Sequence, residues 1–88
     1  MVLDVHNFGD ILMSRPAGKE AFAMAKAYII KLLNENETIS LDFKNVKVLA
    51  PSWVDEFVTN LKNEYKNPIE FFNTENESVS QSLKYVRA

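Results

Sequence analysis

The stretch VKVLAPSWVDEF, residues 46–57, decides how this chain is read. An apolar run stops at Ala50-Pro51-Ser52, and a helical pattern opens at once with Trp53, Asp55 and Glu56. A short apolar run, a sharp turn and a helix form one unit of an α/β fold. Ser52 stands where a capping residue is expected, its hydroxyl accepting an N–H from two or three residues on. Asp55 is then placed to reach back to the cap's own N–H, a variant of the capping box. The helix is expected over residues 53–66, with Trp53 or Val54, Phe57, Val58 and Leu61 inward. Its acids fall early and Lys62 and Lys66 late, matching the helix dipole.

Working outward, residues 38–43 form the cleanest strand. Ile39, Leu41 and Phe43 alternate with Thr38, Ser40 and Asp42, one apolar face against one polar face. Lys44-Asn45 turns the chain, and Val46, Val48 and Leu49 lead inward again. Downstream, Asn67-Pro68 ends the helix and residues 69–72 make another strand. Thr74 with Glu77 three residues later is a capping box opening a last helix, whose buried stripe is Val79, Leu83 and Val86. Upstream, residues 1–8 read as a strand with Leu3 and Val5 on one face and Asp4 and His6 on the other. Gly9-Asp10 is a turn, and residues 11–13 return as a short antiparallel strand. Ser14 precedes Arg15-Pro16, with proline where a first helical turn tolerates it. Ala21, Ala25, Tyr28, Ile29, Leu32 and Leu33 then recur at helical spacing to about residue 35.

Strands separated by helices imply parallel pairing through right-handed crossovers. A fully parallel sheet covered on both faces reads as unbroken apolar runs, and Ser40 and Asp42 break the run. The expected architecture is therefore α/β in two layers. A mainly parallel sheet of three to four strands carries helices on one face and is largely polar on the other.

With 88 residues the chain is expected to be one domain, residues 1–88, burying about 60–65% of the surface it exposes unfolded. A net charge of −2 without any lysine or arginine run argues against nucleic acid as the partner. No apolar run approaches the ~20 residues that span a bilayer, and the first residues lack the pattern of a secretory signal. No membrane partner and a cytoplasmic location are expected. The absence of cysteine removes disulfides, thiolate metal sites and cysteine nucleophiles. Two glycines cannot build a phosphate loop, so no cofactor is expected.

The segment TISLDFKNVKVLAPSWVDEFVTNL resembles the heart of a STAS domain, the fold of bacterial anti-sigma factor antagonists. The flanking FGDILMSRPAGKEAF is similar to one branch, the STAS-like domains of unassigned function. The resemblance implies a right-handed superhelix of β–α units with helices on one side, acting by binding proteins rather than by catalysis. It implies a protein partner such as an anti-sigma-like or histidine-kinase-type ATPase. In the antagonists, a serine at the start of the second helix is phosphorylated by that kinase, which blocks binding. Their motif runs Asp-Ser-Ser/Thr-Gly. Here Ala50, Pro51, Ser52 and Trp53 occupy those places, so proline stands at the phosphoacceptor. The phosphoserine switch does not carry over residue by residue.

Ser52 is thus weighed as a cap against a phosphoacceptor, and the cap is favoured. Asp55 and Glu56 would compete with a phosphate for the same N–H groups. Arg15, against the dipole in a first helical turn, is expected in an ion pair with a nearby acid or against an anionic ligand or a partner's acid. Trp53 is expected either packed over the sheet end or partly exposed as an aromatic anchor. Phe72, on the open face, is a second contact candidate, toward a partner or a second copy of the chain. His6 is expected solvated on the polar face, and Asp4 and Asp42 are expected as a solvated pair without a catalytic constellation. Ser78, Ser80 and Ser82 are expected to spread around the polar side of the last helix. The partner-binding surface is expected at Pro51, Ser52, Trp53, Asp55 and Glu56, with Arg15. The alternative is a sensor for a small anionic ligand or nucleotide, held beside Arg15.

Overall fold

The computed structural model describes residues 1–87. Strand β1 (Val2–Asp4) runs into a 3₁₀ turn (Val5–Phe8), followed by β2 (Ile11–Leu12), α1 (Arg15–Leu32) and β3 (Ile39–Asp42). The chain continues through β4 (Val48–Leu49), α2 (Pro51–Glu64), β5 (Ile69–Phe72) and α3 (Glu77–Arg87). Three strands form one parallel sheet in the order β1-β3-β5, and β2 pairs with β4 in a second, two-stranded sheet.

The register explains why this sheet has one bare face. Leu3, Leu41 and Phe71 lie in one row, with Ile39 beside Ile69. Ile39 and Leu41 are fully buried against the helices. The alternate rows are Val2, Ser40, Glu70 and Asp4, Asp42, Phe72. Val2 is 64% exposed and Phe72 46%, so no helix covers that side. The two-layer expectation read from Ser40 and Asp42 holds.

The first strand is shorter than its alternation suggests. The Asp4 carboxylate accepts the His6 N–H, closing a 3₁₀ turn that ends at Gly9 with φ 129. Residues 11–12 are extended as expected but pair parallel to β4, Ile11 beside Val48 and Leu12 beside Leu49. The antiparallel hairpin is therefore replaced by a longer-range contact. Val48 faces outward, because the pleat that buries Leu49 turns its neighbour to solvent.

Helix α1 is capped by Ser14, whose hydroxyl accepts the Ala17 N–H at 3.3 Å. Its buried face is Gly18, Ala21, Phe22, Ala25 and Ile29. Tyr28 and Leu32, expected inward, are each 52% exposed. At about 100° per residue Tyr28 falls on the flank of the buried stripe, while Leu32 lies in line with Ala25 and is left open at the last residue of the helix. The helix stops at Leu32, with Leu33 as its extended C-cap.

Helix α2 begins at Pro51, two residues before the expected start, and ends at Glu64. Proline is pre-shaped for a first helical position and drew the boundary back. Ala50 is the N-cap and offers no side-chain bond. Helix α3 likewise takes its cap from Asn76 rather than Thr74: the Asn76 side-chain Oδ1 accepts the Val79 N–H at 3.1 Å. Val79 and Leu83 are fully buried and Val86 partly, as the spacing predicts.

The serines of α3 have work the sequence does not show. The Ser78 hydroxyl accepts the Leu49 N–H at 2.9 Å, and both Ser78 and Ser82 donate to the Leu49 carbonyl. Ser82 is buried. The backbone of β4 on that side would otherwise be an unpaired strand edge, and the two hydroxyls close it.

Candidate functional site

The starts of α1 and α2 come together because α1 carries a glycine at the crossing. A β-carbon on Gly18 would meet the Trp53 carbonyl oxygen, so only glycine lets the helix axes approach this closely. Trp53 then lies inside, 2% exposed, stacked on Phe57 at 5.1 Å between ring centroids and tilted against Phe8 at 6.2 Å. This corrects one expected contact: the Trp53 ring is a core residue and presents no anchor to a partner.

Arg15 bridges the two helix starts. One guanidinium nitrogen donates to Asp55 Oδ2 at 2.8 Å and to Glu56 Oε2 at 3.0 Å. The hydrogen bond to Asp55, then that to Glu56, raises the guanidinium pKa further. Asn60 donates its amide to the Glu56 backbone carbonyl at 2.8 Å and to Glu56 Oε1 at 3.3 Å, fixing that side chain from the other flank. Asp55 is turned toward Arg15 and not back toward Ser52. Because α2 starts at Pro51, both acids sit beyond the first turn, out of the expected capping range.

Of the six expected contact residues, Arg15, Asp55 and Glu56 form one cluster. Pro51 is exposed at the first helical position, and Ser52 is half-buried one residue later. The capping role of Ser52 is overturned: the cap position belongs to Ala50, and no side-chain bond caps α2. Beside Arg15, where an anionic ligand is the alternative expectation, one guanidinium nitrogen is engaged by the two carboxylates.

Two features escaped the sequence reading. A cleft of about 740 Å³ opens at the carboxyl ends of β1, β3 and β5, lined by His6, Asp10, Lys44, Lys47, Asn73 and Asn76 among others. Ligands in open α/β sheets favour that end of the strands. Much of its polar lining is engaged within the protein. His6 Nε2 is hydrogen-bonded to the Asp10 carboxylate, Asn73 donates to Asp42 at 2.8 Å, and Asn76 donates to the Lys47 carbonyl at 3.2 Å. His6 thus has a partner, where the sequence predicts a solvated ring. The backbone hints at this cleft, because Asn45 and Asn73 both take positive φ, a conformation asparagine tolerates.

The second feature is apolar. Two depressions of about 370 Å³ each share Asn7, Phe8 and Met24; Ile11 and Met13 line one, Val2 and Tyr28 the other. The signal was present in α1, where the face of Gly18, Ala21, Phe22, Ala25 and Ile29 leaves Met24 outside.

Asp4 and Asp42 lie side by side on the open sheet face, as the alternation predicts. Each carboxylate holds a turn. Asp4 accepts the His6 N–H, and Asp42 accepts the Lys44 N–H and the Asn73 amide. Among the described residues no group of three or more histidines or acids is placed to hold a metal ion. No helix among them is long and apolar enough to cross a membrane.

No curated protein and no solved structure matches the chain. The model of the STAS-like domain of unknown function matches residues 26–79, from within α1 to the first turn of α3. That span includes β3, β4, α2 and β5, while β1 and β2, the parallel partners of β3 and β4, precede it. The chain belongs to the family of STAS-like domains of unknown function.

Proposed function

We propose that this domain is a non-catalytic regulatory module that binds a protein partner through the paired starts of α1 and α2. The observation that carries this reading is the Arg15 bridge to Asp55 and Glu56. It fastens two helix ends into one surface, where exposed charge follows Met13, 52% accessible, two residues along the chain. A polar rim around exposed apolar side chains is the pattern of an interface. The contact set is Arg15, Pro51, Ser52, Asp55 and Glu56, with Met13 as its apolar member. Family resemblance makes an anti-sigma-like or histidine-kinase-type ATPase of the bacterial cytoplasm the first partner to try.

Binding is favoured over catalysis because the carboxylates and the histidine that acid–base chemistry would use are engaged in turns and pairs. Ser52 has no capping duty, so its modification is decided by experiment: incubation with ATP and the partner kinase raises the intact mass by one phosphate, or it does not.

The test is affinity capture from native extract with the wild-type chain and with a variant carrying Asp55→Asn and Glu56→Gln. Capture of an ATPase by the first and its loss from the second, at an unchanged melting temperature, supports the reading. Equal capture by both places the interface elsewhere.

A second reading is supported by the cleft at the strand ends, where Lys44 and Lys47 line a space large enough for a small anion or nucleotide. A ligand that binds there raises the melting temperature by mass action, and a thermal-shift series with nucleotides tests it.

A further inference from the structure

Helix α1 presents a second surface, which adjoins the first at the depression that Met13, Glu20 and Met24 line. Met24, Tyr28 and Leu32 follow one another at four-residue intervals and are 62%, 52% and 52% exposed. Beside them, Val2 and Phe8 line the depression that Met24 and Tyr28 share. Exposed apolar side chains grouped in this way mark an interaction surface on a small protein.

The charges flanking this stripe indicate what covers it. Glu20 lies one turn before Met24 and Lys31 near the end of the same helix. Neither makes an ion pair or hydrogen bond among the described residues. Eleven residues at about 100° each bring Glu20 and Lys31 within about 20° of one another around the helix, on the same side of the apolar stripe. Eleven residues also separate them by about 16 Å along the axis, too far to pair within one helix. A second helix of the same sequence, running antiparallel, removes that distance.

We infer that a second copy of this chain covers the α1 flank, forming a twofold dimer with antiparallel α1 helices. An axis midway between Met24 and Tyr28 sets Met24 against Tyr28 of the second copy, a sulfur–aromatic contact, made twice by symmetry. The same axis brings Glu20 within one residue of level with Lys31 of the second copy, and the reciprocal pair forms at the other end. The helix therefore carries both halves of each contact at the separation a twofold axis requires. Any other partner would have to supply an apolar stripe with the same spacing of opposite charges.

Light scattering after size exclusion, over a concentration series of the full chain, tests this. Wild type is expected as a dimer that dissociates on dilution. Tyr28→Lys and Met24→Glu are expected to be monomeric with unchanged far-ultraviolet circular dichroism, since both sites are on the surface. Glu20→Lys and Lys31→Glu each replace two attractive pairs by two repulsive ones and are expected to weaken the dimer about tenfold. The double exchange, Glu20→Lys with Lys31→Glu, is expected to restore wild-type association. A wild type monomeric throughout the series overturns the inference, as does a dimer indifferent to Tyr28 or a double exchange no better than its parents. Because none of these positions belongs to the paired helix starts, failure here leaves the proposed partner surface standing, and the converse holds.

Discussion

Gly18 of α1 lies against the backbone of Trp53 in α2: a β-carbon built on Gly18 would stand 2.4 Å from the Trp53 carbonyl oxygen and 3.1 Å from its carbonyl carbon. In an exposed helix, glycine to alanine stabilises by about 1 kcal/mol. Here the sign reverses, because the obstacle is backbone and cannot rotate away. Gly18→Ala is expected to destabilise by about 1–3 kcal/mol, the range for overpacking. Trp53 is buried beside the lesion and its fluorescence reports the denaturant midpoint. A midpoint equal to or above wild type would show that the helices can separate without cost.

The helix boundaries make paired predictions at caps. Ser14→Ala and Asn76→Ala each remove a side-chain bond to a first-turn N–H and are expected to cost about 1 kcal/mol. Ser52→Ala and Thr74→Ala, at the positions the residue pattern favours as caps, are expected to stay within about 0.5 kcal/mol of wild type. Thermal unfolding of the four variants decides between the two sets.

The serine clamp on β4 predicts a local effect. Ser78→Ala removes the partner of the Leu49 N–H and one donor to its carbonyl, and Ser82→Ala removes the other donor. Each is expected to cost about 1 kcal/mol, with the pair non-additive because both hydroxyls serve one carbonyl. Amide exchange at Leu49 is expected to accelerate in Ser78→Ala and far less in Ser82→Ala.

Asp42 predicts a pH dependence. The Asn73 amide, then the Lys44 N–H, lowers the Asp42 pKa below its ordinary 3.8. A depressed carboxyl pKa stabilises the folded state above the unfolded value, and that contribution disappears as pH falls through the folded value. Asn73→Gly keeps the positive φ of 55 accessible while deleting the amide. Its Asp42 pKa is expected to move up toward 3.8. The stability gap to wild type is expected to be constant above about pH 5 and to close below about 3.8. A carboxyl titration followed by NMR, with unfolding curves across that range, checks both.

The open-faced sheet was legible in residues 38–43, because a period of two is a local property: each strand residue faces opposite its neighbour whatever it later touches. The same logic made Val79 and Leu83 of the last helix readable. The family-like segment around Val46 to Phe57 was readable too, and residues 26–79 match the STAS-like model. The Arg15 site was legible only in part. An arginine in a first helical turn announced a need for acid, but nothing local named Asp55 and Glu56, 40 and 41 residues away.

What escaped the residue pattern shares one cause. Parallel pairing of β2 with β4, the serines closing the β4 edge and the exposure of Tyr28 and Leu32 all depend on groups remote along the chain. Alternation and helical spacing assign a side chain to a face, since only the backbone's own geometry enters. Which face is covered, and by what, is a matter of packing between elements. It was settled here where Gly18 let α1 close on the Trp53 turn, a fit that depends on atoms 35 residues apart.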